Sequence, residues 1–251
     1  MSQPSADAQL ADLRGLVARA TQQLLGATIA VTDEQWPAPS RLPRWSRAHV
    51  ATHLARQADG FTNLVEGAET GTRTTMYASP EARDADIETG ARRSGLELQT
   101  DLDTSAGRLA EAFERLDHVA ADAPGDAGPA RGWAASVELR GGLVVPARLL
   151  PLGRLFEVAL HLVDLDVGHE VEQLDEPVAE WLIEWFAFRA RARDEFPRVE
   201  LHAPSGFTGE VGTVGPPVVV RGPAPALLGW LTGRTPAGSV DGAGGLVLPT
   251  L

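Results

Sequence analysis

Apolar side chains recur every three to four positions through most of the first two thirds of the chain. Leu10, Leu13, Leu16, Val17, Ala20 and Leu24 predict an amphipathic helix over Leu10–Ile29. Pro37, Pro39 and Pro43 then mark a loop, after which Ser46 is placed to cap a second helix running to about Gly67. Its core face carries Val50, Leu54, Phe61 and Leu64. Ser79 followed by Pro80 starts a short helix, and Ser94 caps a third long one over Gly95–Val119 with Leu98, Leu102, Leu109, Phe113 and Leu116 inward. Ala120–Gly132, rich in Ala, Gly, Pro and Asp, reads as a flexible loop, and Trp133–Pro146 as a β-hairpin turning at Gly141-Gly142. A fourth long helix follows Pro151, with Gly168 as the glycine beyond its end. Four long helices with one excursion predict a four-helix bundle.

Beyond Glu172 the pattern changes. Pro177–Arg193 is a helix bearing Trp and Phe, Pro223–Thr232 is another, and Val199–His202, Val218–Arg221 and Gly245–Leu248 are short β-like runs. The expected fold is therefore α+β, with a helical bundle over 1–170 and a smaller C-terminal α+β domain over 171–251.

Composition narrows the chemistry. With 43% hydrophobic and 22% charged residues in 251, the chain can bury a core and is not disordered as a whole. A net charge of −12 argues against nucleic acid and anionic membrane as partners. No cysteine is present, which excludes a thiolate nucleophile, a disulfide framework and cysteine-ligated metal. Every basic residue is arginine, so Schiff-base chemistry is excluded too, while guanidinium groups suited to carboxylates abound. The polar start and the lack of any long apolar run predict a cytoplasmic protein with neither signal peptide nor membrane span. Without a coiled-coil seam, a monomer is expected.

Two helices carry pairs at i, i+4: His49 with His53, and Glu157 with His161. Residues four apart share a helix face and can reach one cation, and bundles build metal sites from such facing pairs. Two ligands from one helix and one from the other make a His₂Glu set with an open fourth position, the pattern of a catalytic zinc. Such pairs also arise by chance, and spacing alone leaves a structural role open. Leu155, Phe156, Val158, Leu160 and Leu162 surround Glu157 and His161 with apolar groups, where a carboxylate needs a compensating partner.

Three segments then act together. Trp45-Ser-Arg-Ala-His49-Val-Ala-Thr-His53, Met76-Tyr-Ala-Ser-Pro-Glu-Ala-Arg83 and Glu157-Val-Ala-Leu-His161-Leu-Val-Asp164 resemble the mycothiol-dependent maleylpyruvate isomerases, within the wider DinB-like family of metal-binding helical bundles. Trp230-Leu-Thr-Gly-Arg234 resembles that family's arginine-bearing helix end, so the likeness covers nearly the whole chain. The first segment is shared across the superfamily; the second is far more specific to the isomerase branch.

The resemblance implies His53, Glu157 and His161 as metal ligands, with zinc or another divalent metal, and His49 in a structural role. It implies Arg234 and Arg83 as catalytic arginines. Arg154, three before Glu157, and Asp164, three after His161, are candidates to support the ligands. The implied reaction is the cis–trans isomerisation of maleylpyruvate to fumarylpyruvate, in the gentisate branch of aromatic degradation. In this chemistry a thiolate adds to the double bond, the bond turns, and the thiolate leaves. A chain without cysteine must borrow the thiol, and the resemblance implies mycothiol as cofactor beside a small dicarboxylate substrate. The mycothiol-binding residues have no recognisable motif. The competing readings are a mycothiol S-transferase acting on other electrophiles, which needs the same three ligands but no dicarboxylate-binding arginines, and a non-catalytic metal-binding module.

Overall fold

The computed structural model describes residues 6–119, 130–191, 193 and 195–249. The loop expected over Ala120–Gly132 lies largely outside the described residues. The chain divides into two compact units, Met1–Val167 and Gly168–Leu251.

In the first unit, four long helices make the bundle: α1 (Ala6–Thr28), α2 (Arg47–Thr70), α4 (Gly95–Asp117) and α5 (Leu150–Asp164), with the short α3 (Pro80–Gly90) between the second and third. Packing of α2 along α4 and of α1 along α5 closes the core. There Leu24, Leu54, Leu98, Leu102 and Val158 are almost fully buried. The caps that set these helices are the expected serines. Ser46, Ser79 and Ser94 each accept a bond from the backbone N–H three residues on. At α2 the capping box is closed by a histidine, whose His49 Nδ1 lies 3.2 Å from the Ser46 N–H.

The end of α5 corrects one expectation. Gly168 is not its terminating residue: the helix stops at Asp164, and Asp166 (φ 55°) takes the left-handed position. The cause is a competing set of donors. Arg41 N–H donates to the Asp164 carbonyl, while Arg47 donates through Nε to the Leu165 carbonyl and through Nη2 to the Asp166 carbonyl. Those carbonyls are satisfied early, so the last turn needs no glycine.

The excursion between α4 and α5 is an antiparallel hairpin, β1 (Ser136–Glu138) with β2 (Val144–Pro146). It is shorter than Trp133–Pro146, because residues 132–134 form a single 3-10 turn. Gly141 and Gly142 sit at φ 88° and 84°, which a side chain would resist, and they let the chain reverse there.

The second unit holds α6 (Glu176–Ala190), β3 (Pro197–His202), β4 (Thr208–Val211), β5 (Val214–Arg221) and α7 (Ala224–Leu231). The sheet order is β4-β3-β5, antiparallel on one side of β3 and parallel on the other. Thr208–Val211 has a single apolar residue and carries no strand signal, yet it forms one of the two edge strands. Gly245–Leu248, expected as a strand, joins no sheet among the described residues, and Leu246 N–H donates instead to the nearby Ala243 carbonyl. Beside β5, Asp241 makes an isolated bridge with Arg221, and the chain then turns at Gly242 and Gly245.

Among the described residues no helix is long and apolar enough to cross a membrane.

Candidate metal centre

His53 lies in the second turn of α2, and Glu157 and His161 are successive turns of α5. Packing of α2 against α5 brings the three together although 104 residues separate His53 from Glu157. His53 Nε2 is 3.0 Å from Glu157 Oε2 and 3.1 Å from His161 Nε2, and His161 Nε2 is 3.3 Å from the same carboxylate oxygen. Bonds of 2.0–2.1 Å to a tetrahedral metal set its ligand atoms about 3.3 Å apart. The three edges thus approach those of a tetrahedron with its fourth corner open, and the cluster could hold a metal ion.

The protonation states follow from the surroundings. Burial pushes His53 down to about 4, against the opposing pull of Glu157, so its imidazole is neutral near pH 7. Burial would raise Glu157, but hydrogen bonds from His161 and His53 outweigh it and hold the carboxyl well below its usual range. His161 is raised: burial lowers it, and its bonds to Asp164 and Glu157 more than compensate. Asp164 Oδ2 accepts from His161 Nδ1 at 2.7 Å from a position that is itself 1% exposed. That leaves Nε2 facing the cluster, the orienting role in which a buried carboxylate steers a ligating imidazole.

His53 carries a constraint of a different kind. Its Nδ1 lies 3.1 Å from Arg83 Nη2, and a guanidinium only donates. Nδ1 is therefore the acceptor, and the ring proton sits on Nε2, towards Glu157. Metal at Nε2 requires that proton on Nδ1, which the Arg83 contact forbids. The donor set fits a metal provided that Arg83 turns away from His53.

Arg83 stands at the start of α3, 7% exposed, with Nη1 on Asp84 at 2.7 Å and its guanidinium 5.8 Å from the centre of the Tyr77 ring. What delivers it is the crossing of residues 74–80 over α2. Asn63 Nδ2 donates to the Met76 carbonyl and Thr74 Oγ1 to the Asn63 carbonyl. Gly60 permits the crossing, since a Cβ there would lie 3.2 Å from the Met76 carbonyl oxygen. Tyr77, the only tyrosine in the chain, is raised by burial, with Arg83 and Arg140 partly offsetting. A cavity of about 290 Å³ opens beside Arg83, between residues 75–80 and the hairpin turn.

The remaining candidates sit elsewhere. His49 is outside the cluster; besides its capping bond, its Nε2 faces Glu88 at 3.5 Å and its ring stacks on Trp45. Arg154 does not bond Glu157. It is 1% exposed, and its Nη1 donates to the Leu54 carbonyl at 2.8 Å and to Gln57 Oε1 at 2.6 Å. Burial pushes it down to about 10. In the second unit, Arg234 follows α7. Its N–H donates to the Gly229 carbonyl and its Nη1 to the Thr232 carbonyl. The Arg83–His53 contact and the Tyr77 cavity wall were not foreseen; the isomerase-like segment at 76–83 was their only trace in the sequence.

A family model described as the mycothiol maleylpyruvate isomerase N-terminal domain matches residues 17–166. The chain belongs to that family. The likeness extends to solved structures. The crystal structure of the mycothiol-dependent maleylpyruvate isomerase is 25% identical, covering 96% of this chain and 97% of that one with a TM-score of 0.82. A histidine-to-alanine mutant of the mycothiol-dependent maleylpyruvate isomerase matches over the same shares at 24% identity and the same TM-score. Among curated proteins no sequence matches.

Proposed function

We propose that this family member is a thiol-dependent cis–trans isomerase that converts maleylpyruvate to fumarylpyruvate, with zinc or another divalent metal at His53, Glu157 and His161 and mycothiol as the borrowed thiol. The observation that carries the reading is the near-tetrahedral spacing of the three ligand atoms beside a buried arginine. Bound together, metal and thiol would supply a thiolate for reversible addition to the conjugated double bond, in which the π electrons move to the carbonyl oxygen, the carbon–carbon bond turns and the thiolate departs.

The chain's own residues do the rest. Asp164 holds the proton on His161 Nδ1 and keeps Nε2 turned inward. Trp45, its ring 5.4 Å from that of His53, shields one side of the imidazole from water. Arg83, once off His53, offers two N–H groups to a substrate carboxylate and stabilises charge on the adjoining enolate oxygen. A catalytic role for Arg234 rests on the family resemblance alone. Thiol transfer to other electrophiles would use the same three ligands, but it gives a buried carboxylate-binding arginine nothing to do.

The test is turnover of maleylpyruvate by metal-loaded protein, with and without mycothiol, for wild type and His53→Ala. Activity is expected only with metal and thiol together and is lost in the variant. Loaded wild type that is inert with mycothiol present would exclude the isomerase reading and favour the transferase. A selective loss of kcat in Arg234→Ala, with metal content unchanged, is the result expected for that residue.

A further inference from the structure

We infer that the β1–β2 hairpin supplies a specificity-determining residue, Arg140, which binds the carboxylate of an extended dicarboxylate farthest from the metal cluster. This inference rests on the isomerase reading for its substrate class, though not for its test.

The cavity of about 290 Å³ has two walls of different origin. Residues 75–80 and Arg83 form the inner one, and Arg83 reaches the cluster through His53. The hairpin turn, with Leu139, Arg140, Gly141 and Gly142, forms the outer one. The turn is fastened to the inner wall, because Arg140 N–H points at Met76 Sδ from 3.3 Å. A free loop tip would not hold an arginine in register with a neighbouring wall; this one is tied at the arginine itself.

The side chain of Arg140 is available. Among the described residues no carboxylate lies within ion-pair distance of its guanidinium, and no hydrogen bond engages it. Of the other arginines here, Arg73 pairs with Glu138, while Arg83 shares only its Nη1 with the exposed Asp84 and turns its Nη2 to His53. Arg140 is nevertheless close enough to the cavity to favour the ionised form of Tyr77. The cavity therefore presents one arginine at its inner end and a second at its rim. The carboxylate of Glu138 is already balanced, and the chain as a whole is strongly acidic.

Two arginines lining one small cavity, one from α3 and one from the hairpin turn, select for length and charge. A dianion can satisfy both, whereas a monoacid or neutral electrophile leaves one of them unpaired. The volume is at the small end for ligand sites and suits a short diacid rather than a sugar-bearing thiol.

The experiment compares wild type, Arg140→Gln and Arg140→Lys as metal-loaded full chains, on maleylpyruvate and on its half-ester at the distal carboxylate. A charge-assisted hydrogen bond contributes roughly 1.5–3 kcal/mol, so Arg140→Gln should raise KM for the diacid about 10- to 100-fold with little change in kcat. Arg140→Lys should recover part of the loss, and KM for the half-ester should not move. An unchanged KM for the diacid in Arg140→Gln, or an equal rise for both substrates, overturns the inference while leaving the isomerase reading intact. If wild type does not turn over maleylpyruvate, calorimetric titration with maleate decides instead. Weaker binding by Arg140→Gln than by wild type supports the site; equal binding, or none by either, overturns it.

Discussion

A metal ion at the cluster would compete with Arg83 for the His53 imidazole. With Arg83 Nη2 donating to His53 Nδ1, the ring proton is held on the nitrogen a metal would need. Removing the guanidinium also removes a cation from a buried place where a divalent ion must enter. Arg83→Ala is therefore expected to bind zinc more tightly than wild type, by about tenfold, in a chelator competition, even as turnover falls. Unaltered or weaker affinity would show that the contact does not oppose the metal. Asp164→Asn should act the other way. It weakens the acceptor for His161 Nδ1–H, and second-sphere losses of this kind cost about 10- to 100-fold in affinity. Glu157, His161 and Asp164 were legible in the sequence because they lie three or four apart on one helix, where spacing dictates a shared face, whereas the choice of His53 over His49 on α2 came from the family resemblance. The partner of Arg154 was not legible. The sequence placed it near Glu157, but its long side chain crosses to α2 instead, where the Leu54 carbonyl and Gln57 accept.

At the level of elements, α2 must be firm where it begins, because His53 lies only seven residues from its cap. Ser46 Oγ accepts from His49 N–H, and the same hydroxyl lies 2.7 Å from His49 Nδ1. Ser46→Ala should cost about 1 kcal/mol in chemical denaturation, the usual loss for a cap. A loss below a few tenths would mean that His49 holds the turn alone. The long helices were readable from their apolar period, and their starts from serines with Pro or Glu behind them. The edge strand β4 was not, since a strand with one apolar residue is specified by its neighbour's unpaired backbone rather than by its own pattern. The crossing of residues 74–80 over α2 was equally hidden. It depends on Gly60 leaving room and on Asn63 and Thr74 meeting backbone atoms, none of which has a periodicity.

For the whole molecule, the buried cluster links stability to pH in two directions. An unfolded chain protonates His53 near its ordinary value of 6.5, whereas the folded one resists until about 4. That contribution is present above 6.5 and is lost as pH falls towards 4; the lowered Glu157 adds to the loss at lower pH still. His161 is raised, so its contribution is complete below 6.5 and fades as pH rises through its folded value. With metal chelated, the melting temperature scanned from about pH 4 to about pH 9 should peak near pH 6–7, as these opposed linkages require. A steady rise to the alkaline end would contradict the state assigned to His161. Zinc should raise the melting temperature most on the alkaline side, because its ligands must be free of protons.

The sole tyrosine of the chain stands in the wall of the cavity between Arg83 and the hairpin turn. Any signal that belongs to tyrosine alone therefore comes from that one place. Phenolate absorbance, a fluorotyrosine resonance or the yield of nitration would report events beside the cluster with no labelling site to choose and no second tyrosine to subtract. An anion that draws Arg83 away would shift the ionisation of Tyr77 upwards, because Arg83 is the first of the cations that favour its phenolate. The molecule carries its own gauge of occupancy.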